Sequence, residues 1–154
     1  MKKWLYIALL FFWAIPSGFA QLKTYTFQEV ENLSKENPKP LVVFIHTTWC
    51  NYCKMMENST FKTPEIITLL NDNYYFISLD AENKEDIYFN NLTFSFKPNG
   101  QNTGIHELAT ALATINSQVV YPTITVLDSD LSIVFQKHSY LNSKQLLTIL
   151  EKKK

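Results

Sequence analysis

The chain has 154 residues, 46% of them hydrophobic and 18% charged, enough for one domain with a substantial core. Fourteen Lys face fourteen Asp and Glu, and Arg is absent. That composition excludes a typical nucleic-acid binder, which needs a basic face and favours Arg for bidentate phosphate contacts; Lys152-Lys153-Lys154 instead suits a helix C-terminus.

Lys2-Lys3 form a positive start, and Trp4 to Ile15 is an unbroken apolar run. Pro16-Ser17-Gly18-Phe19-Ala20 follows, with small residues at the two positions a signal peptidase reads. The run is short of the roughly 20 residues of a membrane-spanning helix. Residues 1–20 therefore read as a cleaved secretory signal, with an uncleaved anchor as the alternative. No Cys follows the run, which disfavours a lipoprotein. The mature domain, 21–154, would keep twelve Lys against fourteen acidic residues, a net charge near −2. Export would place it in the periplasm of a Gram-negative host and outside the cell otherwise.

Thr26 with Glu29 three positions later is a capping-box signature, and Phe27, Val30 and Leu33 repeat at helical spacing, so a helix is expected over 27–36. Asn37-Pro38-Lys39-Pro40 stops it. Leu41 to Ile45 is a continuous, β-branched-rich run that suits a strand buried on both faces. A helix is expected from Cys50 to about Phe61, and a second from Thr63 as N-cap with Pro64 in its first position. Tyr74 to Leu79 reads as the next strand.

Between Asp80 and Gly104 the pattern is least regular. Ile87, Phe89, Leu92, Phe94 and Phe96 alternate with polar residues around Asn90-Asn91, which predicts a β-hairpin ended by Lys97-Pro98-Asn99-Gly100. Its aromatics, with Tyr88, suit strand core better than a substrate flap. A helix follows over 106–115, opened by His106 and Glu107. Strands are expected at Thr123–Leu127 and Leu131–Phe135, with His138 in solvent at a strand end. Asn142 or Ser143 caps a final helix. Helix, strand, helix, strand, helix, strand, strand, helix predicts an α/β fold with a mixed sheet and helices on both faces.

The two cysteines are three positions apart, too close to staple a domain, since a short loop removes little unfolded-state entropy. They suit chemistry better. Cys50 stands where a strand gives way to a helix, among free backbone N–H groups and the positive end of the macrodipole. Both favour thiolate, so its pKa is expected below the free value of about 8.5. Cys53 lies one turn on along the same face and can resolve a mixed disulfide formed at Cys50. Cys50 is thus the expected exposed nucleophile and Cys53 the resolving thiol.

Phe44-Ile45-His46-Thr47-Thr48-Trp49-Cys50-Asn51-Tyr52-Cys53-Lys54 resembles the active-site strand and helix of the thioredoxin superfamily. Tyr121-Pro122-Thr123 resembles that family's cis-proline loop opposite the cysteines. Cys53-Lys54, Glu57 and Thr60-Phe61 are similar to the C-terminal domain of the bacterial periplasmic thiol:disulfide interchange reductase and to small exported relatives. The resemblance implies a thioredoxin-like domain over 21–154. The segment around residues 83–103 would then be inserted between the strand at 74–79 and the helix before the cis-proline strand. It also implies a Cys50–Cys53 disulfide, a cis Pro122 that shields the thiols from metal, and a Tyr121 backbone that pairs with an extended substrate segment. The implied partners are protein thiols and disulfides, with a membrane electron donor in some relatives; no cofactor is implied. Reductase is favoured over oxidase. Isomerases normally carry a dimerisation module for which there is no room, so a monomer is expected.

One departure matters. Thioredoxins place a buried Asp six residues before the first Cys, and this chain has Phe44 there. Glu57, four residues after Cys53, would share its helix side and help deprotonate it; the plainer alternative is an exposed Glu57 paired with Lys54. For Trp49 the resemblance implies a mixed role, touching substrate and covering the active-site helix. A competing reading makes His46, Cys50 and Cys53 ligands for a soft metal such as copper in a metal-handling or redox-sensing protein. One Cys pair supplies only two of the four ligands of a closed zinc site, which weighs against it.

Overall fold

A computed structural model describes residues 20–153. The expected signal segment lies outside the described residues, apart from Ala20.

Thr26 caps α1 (Phe27–Ser34) through the full capping box, its hydroxyl accepting from Glu29 N–H while the Glu29 carboxylate accepts from Thr26 N–H. After Pro40 the chain enters β1 (Leu41–His46), whose first five residues are each 1% exposed or less. Then come α2 (Asn51–Asn58), a 3-10 turn (Thr60–Lys62) and α3 (Pro64–Asn73), followed by β2 (Tyr75–Asp80). Proline opens α3 without a missing bond, because the first-turn N–H has no helical partner anyway.

Three two-stranded ribbons and a helix follow β2. β3 (Ile87–Phe89) and β4 (Leu92–Phe94) are antiparallel, turning at Asn90 and Asn91 with φ of 51° and 59°. Asn tolerates the left-handed region better than most residues, and that twist matches the flanking strands. β5 (Phe96–Pro98) pairs with β6 (Gly104–His106), so the chain does not leave sheet structure at Lys97-Pro98 as the sequence suggests. Gly104 is required there, since a Cβ would collide with the Phe96 ring and the Lys97 carbonyl. α4 (Glu107–Ala113) is shorter than expected. Its continuation turns into a ribbon of β7 (Thr114–Ile115) and β8 (Gln118–Val119), with Asn116 and Ser117 at positive φ. The chain closes with β9 (Thr123–Leu127), β10 (Ile133–His138) and α5 (Ser143–Glu151), the last opened by an Asn142–Gln145 capping box.

The main sheet runs β10-β9-β1-β2, with β1 parallel to β2 and antiparallel to β9, and β9 antiparallel to β10. Alternation along β1 divides the core. Leu41, Val43 and Ile45 face Phe27 and Val30 of α1 and Leu108 and Leu112 of α4. Val42 and Phe44 face Cys53 and Met56 of α2, Ile66 and Leu70 of α3, and Leu146 and Leu150 of α5. The mixed sheet with helices on both faces is the architecture the element order implied. Phe89 joins the first core against Phe27 at 4.9 Å between ring centroids, but Tyr88 is exposed and Phe94 and Phe96 are half-buried, so the ribbons are only partly core.

Two histidines differ in their surroundings. His106 is fully buried, its Nδ1 accepting from Leu108 N–H as the cap of α4. His138 is not in solvent: its Nε2 lies 2.8 Å from the Ala113 carbonyl, which the early end of α4 leaves free to bond a side chain. Among the described residues no helix is long and apolar enough to cross a membrane.

Candidate active site

The register of the sheet brings the two motifs to one end. Ile45 of β1 stands opposite Thr123 of β9, so Tyr121-Pro122, just before Thr123, lies beside the loop that leaves β1 for Cys50. The Tyr121–Pro122 peptide bond is cis, and Pro122 is buried.

Cys50 is the N-cap of α2 and is disulfide-bonded to Cys53 with Cα atoms 5.2 Å apart. Its Sγ accepts from Cys53 N–H at 3.1 Å, one of the first-turn donors that helix geometry leaves unpaired. The donor that steadies the sulfur here is placed to steady a thiolate after reduction. The exposure differs from the sequence expectation. Cys50 retains 6% and Cys53 1%, so neither sulfur stands open in the oxidised form, because each is tied to the other against the second core. The remaining access belongs to Cys50.

Around that opening the surface is apolar. Trp49 is 63% exposed and Tyr52 61%, and Met55, further along α2, and Val120, before the Tyr121-Pro122 bond, are exposed as well. Trp49 stands edge-on to Tyr121 at 6.0 Å, and its indole N–H donates to Glu82 at 3.1 Å. Glu82 was not singled out from sequence: it lies 33 positions from Trp49, and no local pattern links them. Tyr140, also not singled out, tilts against Tyr52 at 6.4 Å.

Among the described residues two buried hydroxyls at this end have no hydrogen-bond partner, Thr47 Oγ1 and Tyr121 Oη. Burial pushes the Tyr121 phenol up to about 12, with the charges of Glu82 and Asp80 adding to the shift.

Glu57 does not pair with Lys54 and makes no hydrogen bond to Cys53. Its Oε1 lies 3.9 Å from His46 Nδ1, and the side chain is 42% exposed. His46 stacks on Phe44 with centroids 5.1 Å apart, and its Nε2 lies 2.9 Å from Ser78 Oγ. The ring is thereby engaged away from the two sulfurs, which are bonded to each other. Among the described residues no group of three or more His, Cys, Asp and Glu is placed to hold a metal ion.

A family model described as a thioredoxin-like domain matches residues 27–154. The chain belongs to the thioredoxin-like family. Its fold is shared with a DsbH oxidoreductase, at a TM-score of 0.61 and 15% identity over 89% of this chain and 87% of the other. A Thermus thermophilus thioredoxin gives 0.61 and 19% over 86% and 87%. The oxidised C-terminal domain of Neisseria meningitidis DsbD gives 0.55 and 17% over 86% and 100%. Spermatogenesis-associated protein 20 of Mus musculus is 33% identical over 60 residues, which is 39% of this chain but only 8% of that protein. This thioredoxin-like chain thus combines the family fold with a Cys-x-x-Cys disulfide, and its structural neighbours include proteins described as oxidoreductase and disulphide isomerase.

Proposed function

We propose that the chain is an exported thiol–disulfide oxidoreductase that reduces disulfides in other proteins. The observation that carries this reading is the Cys50–Cys53 disulfide at the N-terminus of α2, next to the Tyr121-Pro122 loop and ringed by exposed Trp49 and Tyr52. In the reduced state Cys50 attacks a substrate disulfide and one substrate sulfur leaves as thiolate. Cys53 then attacks Cys50 Sγ, restoring the internal disulfide and releasing the second substrate sulfur. Two thiols are oxidised and one substrate disulfide is reduced.

Trp49 and Tyr121 form the apolar wall of the substrate approach, and Pro122 exposes the Tyr121 backbone to an extended partner segment. Glu57 supports deprotonation of Cys53. Residues 1–20 act as a signal cleaved after Ala20, and the domain over 21–154 works as a monomer in the periplasm or outside the cell. A membrane protein re-reduces it. The neighbours described as DsbH and as the DsbD C-terminal domain support this placement, as does the apolar run before Ala20.

The test is reduction of insulin by dithiothreitol. The chain accelerates it, and Cys50→Ser abolishes the acceleration. Equilibration of the pair with glutathione gives its direction: a potential near the thioredoxin value of about −270 mV supports a reductase, and one near about −120 mV contradicts it.

A further inference from the structure

β2 is an outer strand of the main sheet, paired along its length with β1 alone. Tyr75 N–H donates to the Pro40 carbonyl at 3.0 Å and Ala81 N–H to the His46 carbonyl at 2.8 Å, so the odd-numbered residues turn their backbone groups to β1. These groups alternate in direction along a strand, and the even-numbered residues therefore turn theirs outward. The Phe76 carbonyl accepts from Tyr25 N–H at 2.9 Å, and the Asp80 carbonyl accepts from Asn83 N–H at 3.1 Å. Ser78 N–H, the Ser78 carbonyl and Asp80 N–H take no partner among the described residues. Proteins usually blunt such an edge with Pro, Lys or a bulge. Residues 75–79 contain neither Pro nor Lys, and their register with β1 is unbroken. A cavity borders the edge on each face, and Ser78 lines both. One, of about 510 Å³, has Phe44, Phe61 and Phe76 in its lining, with Glu57 and Lys62 opposite in charge. The other, of about 520 Å³, lies between residues 24–28 and 85–88 and is lined by Asp80, Glu85 and Asp86 with no Lys or His.

We propose that this edge docks an extended, Lys- or Arg-bearing segment of a partner protein, which adds to the sheet beside β2. The site is separate from the cysteine chemistry and does not depend on the exchange reading. Three backbone hydrogen bonds form, at Ser78 N–H, the Ser78 carbonyl and Asp80 N–H. Successive side chains of the added strand point to opposite faces. One set is apolar and meets Phe44, Phe61 and Phe76. The alternate set carries the positive charge and reaches Asp80, Glu85 and Asp86. A second copy of the chain fits less well, because pairing edge to edge brings two acidic linings together. The edge also leads toward the disulfide: Glu82, two residues beyond Asp80, accepts from the Trp49 indole. A partner held on β2 is thereby tethered close to Cys50.

The probe is a short capped peptide alternating valine and lysine, added to the full chain, with amide hydrogen exchange followed residue by residue by NMR. The Ser78 and Asp80 amides exchange freely without peptide and slow at least about tenfold with it bound. A peptide alternating valine and glutamate binds about tenfold more weakly, and the double variant Glu85→Lys, Asp86→Lys reverses that preference. Two N-methylated forms of the lysine peptide, one blocked at every valine nitrogen and one at every lysine nitrogen, separate the two edges of the added strand. One form loses binding and the other keeps it. Failure of the lysine peptide to bind, or equal binding by both methylated forms, overturns the proposal. So does an unchanged charge preference in the double variant; if that variant does not fold, the methylated peptides decide. Protection of Ser78 and Asp80 in the dilute free chain overturns it as well, because the chain then covers its own edge. Protection that rises with chain concentration alone overturns it in favour of a second copy.

Discussion

Deleting the same buried hydroxyl from Tyr74 and from Tyr121 should change stability in opposite directions. Tyr74 is 1% exposed, and its hydroxyl donates to the Leu150 carbonyl at 2.6 Å, tying the end of α3 to the end of α5. Tyr74→Phe removes that bond, while the Leu150 carbonyl keeps the Lys153 N–H at 3.0 Å, so the cost is about 0.5–1.5 kcal/mol. The buried Tyr121 hydroxyl has no partner among the described residues, so Tyr121→Phe removes a desolvation penalty and gains about 1 kcal/mol. With a urea slope of about 2 kcal/mol per molar, the midpoint falls by about 0.2–0.8 M in the first variant and rises by about 0.5 M in the second. Urea unfolding of the oxidised protein, followed by far-ultraviolet circular dichroism at pH 7, measures both, with the slopes unchanged. Equal losses in the two variants would refute the reasoning, because they would mean that Tyr121 holds a bond as good as that of Tyr74.

Both phenols are pushed up to about 12 from an ordinary 10, each mainly by burial. The native state therefore keeps protons that the unfolded chain gives up above pH 10. Stability is whole below pH 10 and falls as pH climbs from 10 toward 12, and Tyr121→Phe should show a shallower alkaline loss in the same urea assay. Gly104→Ala places a methyl group against the Phe96 ring and the Lys97 carbonyl and should cost about 1–3 kcal/mol, with proteolysis accelerating within 96–106 before the main sheet opens. Glu82→Gln keeps an acceptor for the Trp49 indole, whereas Glu82→Ala does not. Only the alanine variant should redshift Trp49 emission and weaken binding of protein substrates in the insulin assay. Thr26→Ala dismantles the capping box of α1 at a cost of about 1 kcal/mol, read from the thermal midpoint.

The main sheet was legible because its strands announce themselves locally. Leu41–Ile45 is apolar without interruption, and Thr123–Leu127 follows a proline. The reactive pair was legible from its spacing and from the helix it opens. The ribbon of β5 and β6 was not, because a Lys-Pro pair reads as a breaker, and the pairing depends on the close approach at Gly104 from six residues beyond Pro98. β7 and β8 were hidden because the alanine-rich helical pattern runs on through Thr114 and Ile115. The Asn116-Ser117 dipeptide was the available turn signal there. Neither the Trp49–Glu82 bond nor the His46–Ser78 contact could be read, since each joins residues more than thirty positions apart. The burial of Cys50 was missed for a different reason. Position at a helix start predicts access for a free thiol, and the disulfide draws the sulfur inward.

The distinction between an attacking and a resolving sulfur is tested most directly by alkylation of the reduced protein. Brief iodoacetamide pulses across pH 4 to 10, with the modified residue located by mass spectrometry, should label Cys50 with a midpoint below the free-thiol value of about 8.5, leaving Cys53 unmodified. Labelling of Cys53 first, or a Cys50 midpoint at or above that value, would contradict the assignment.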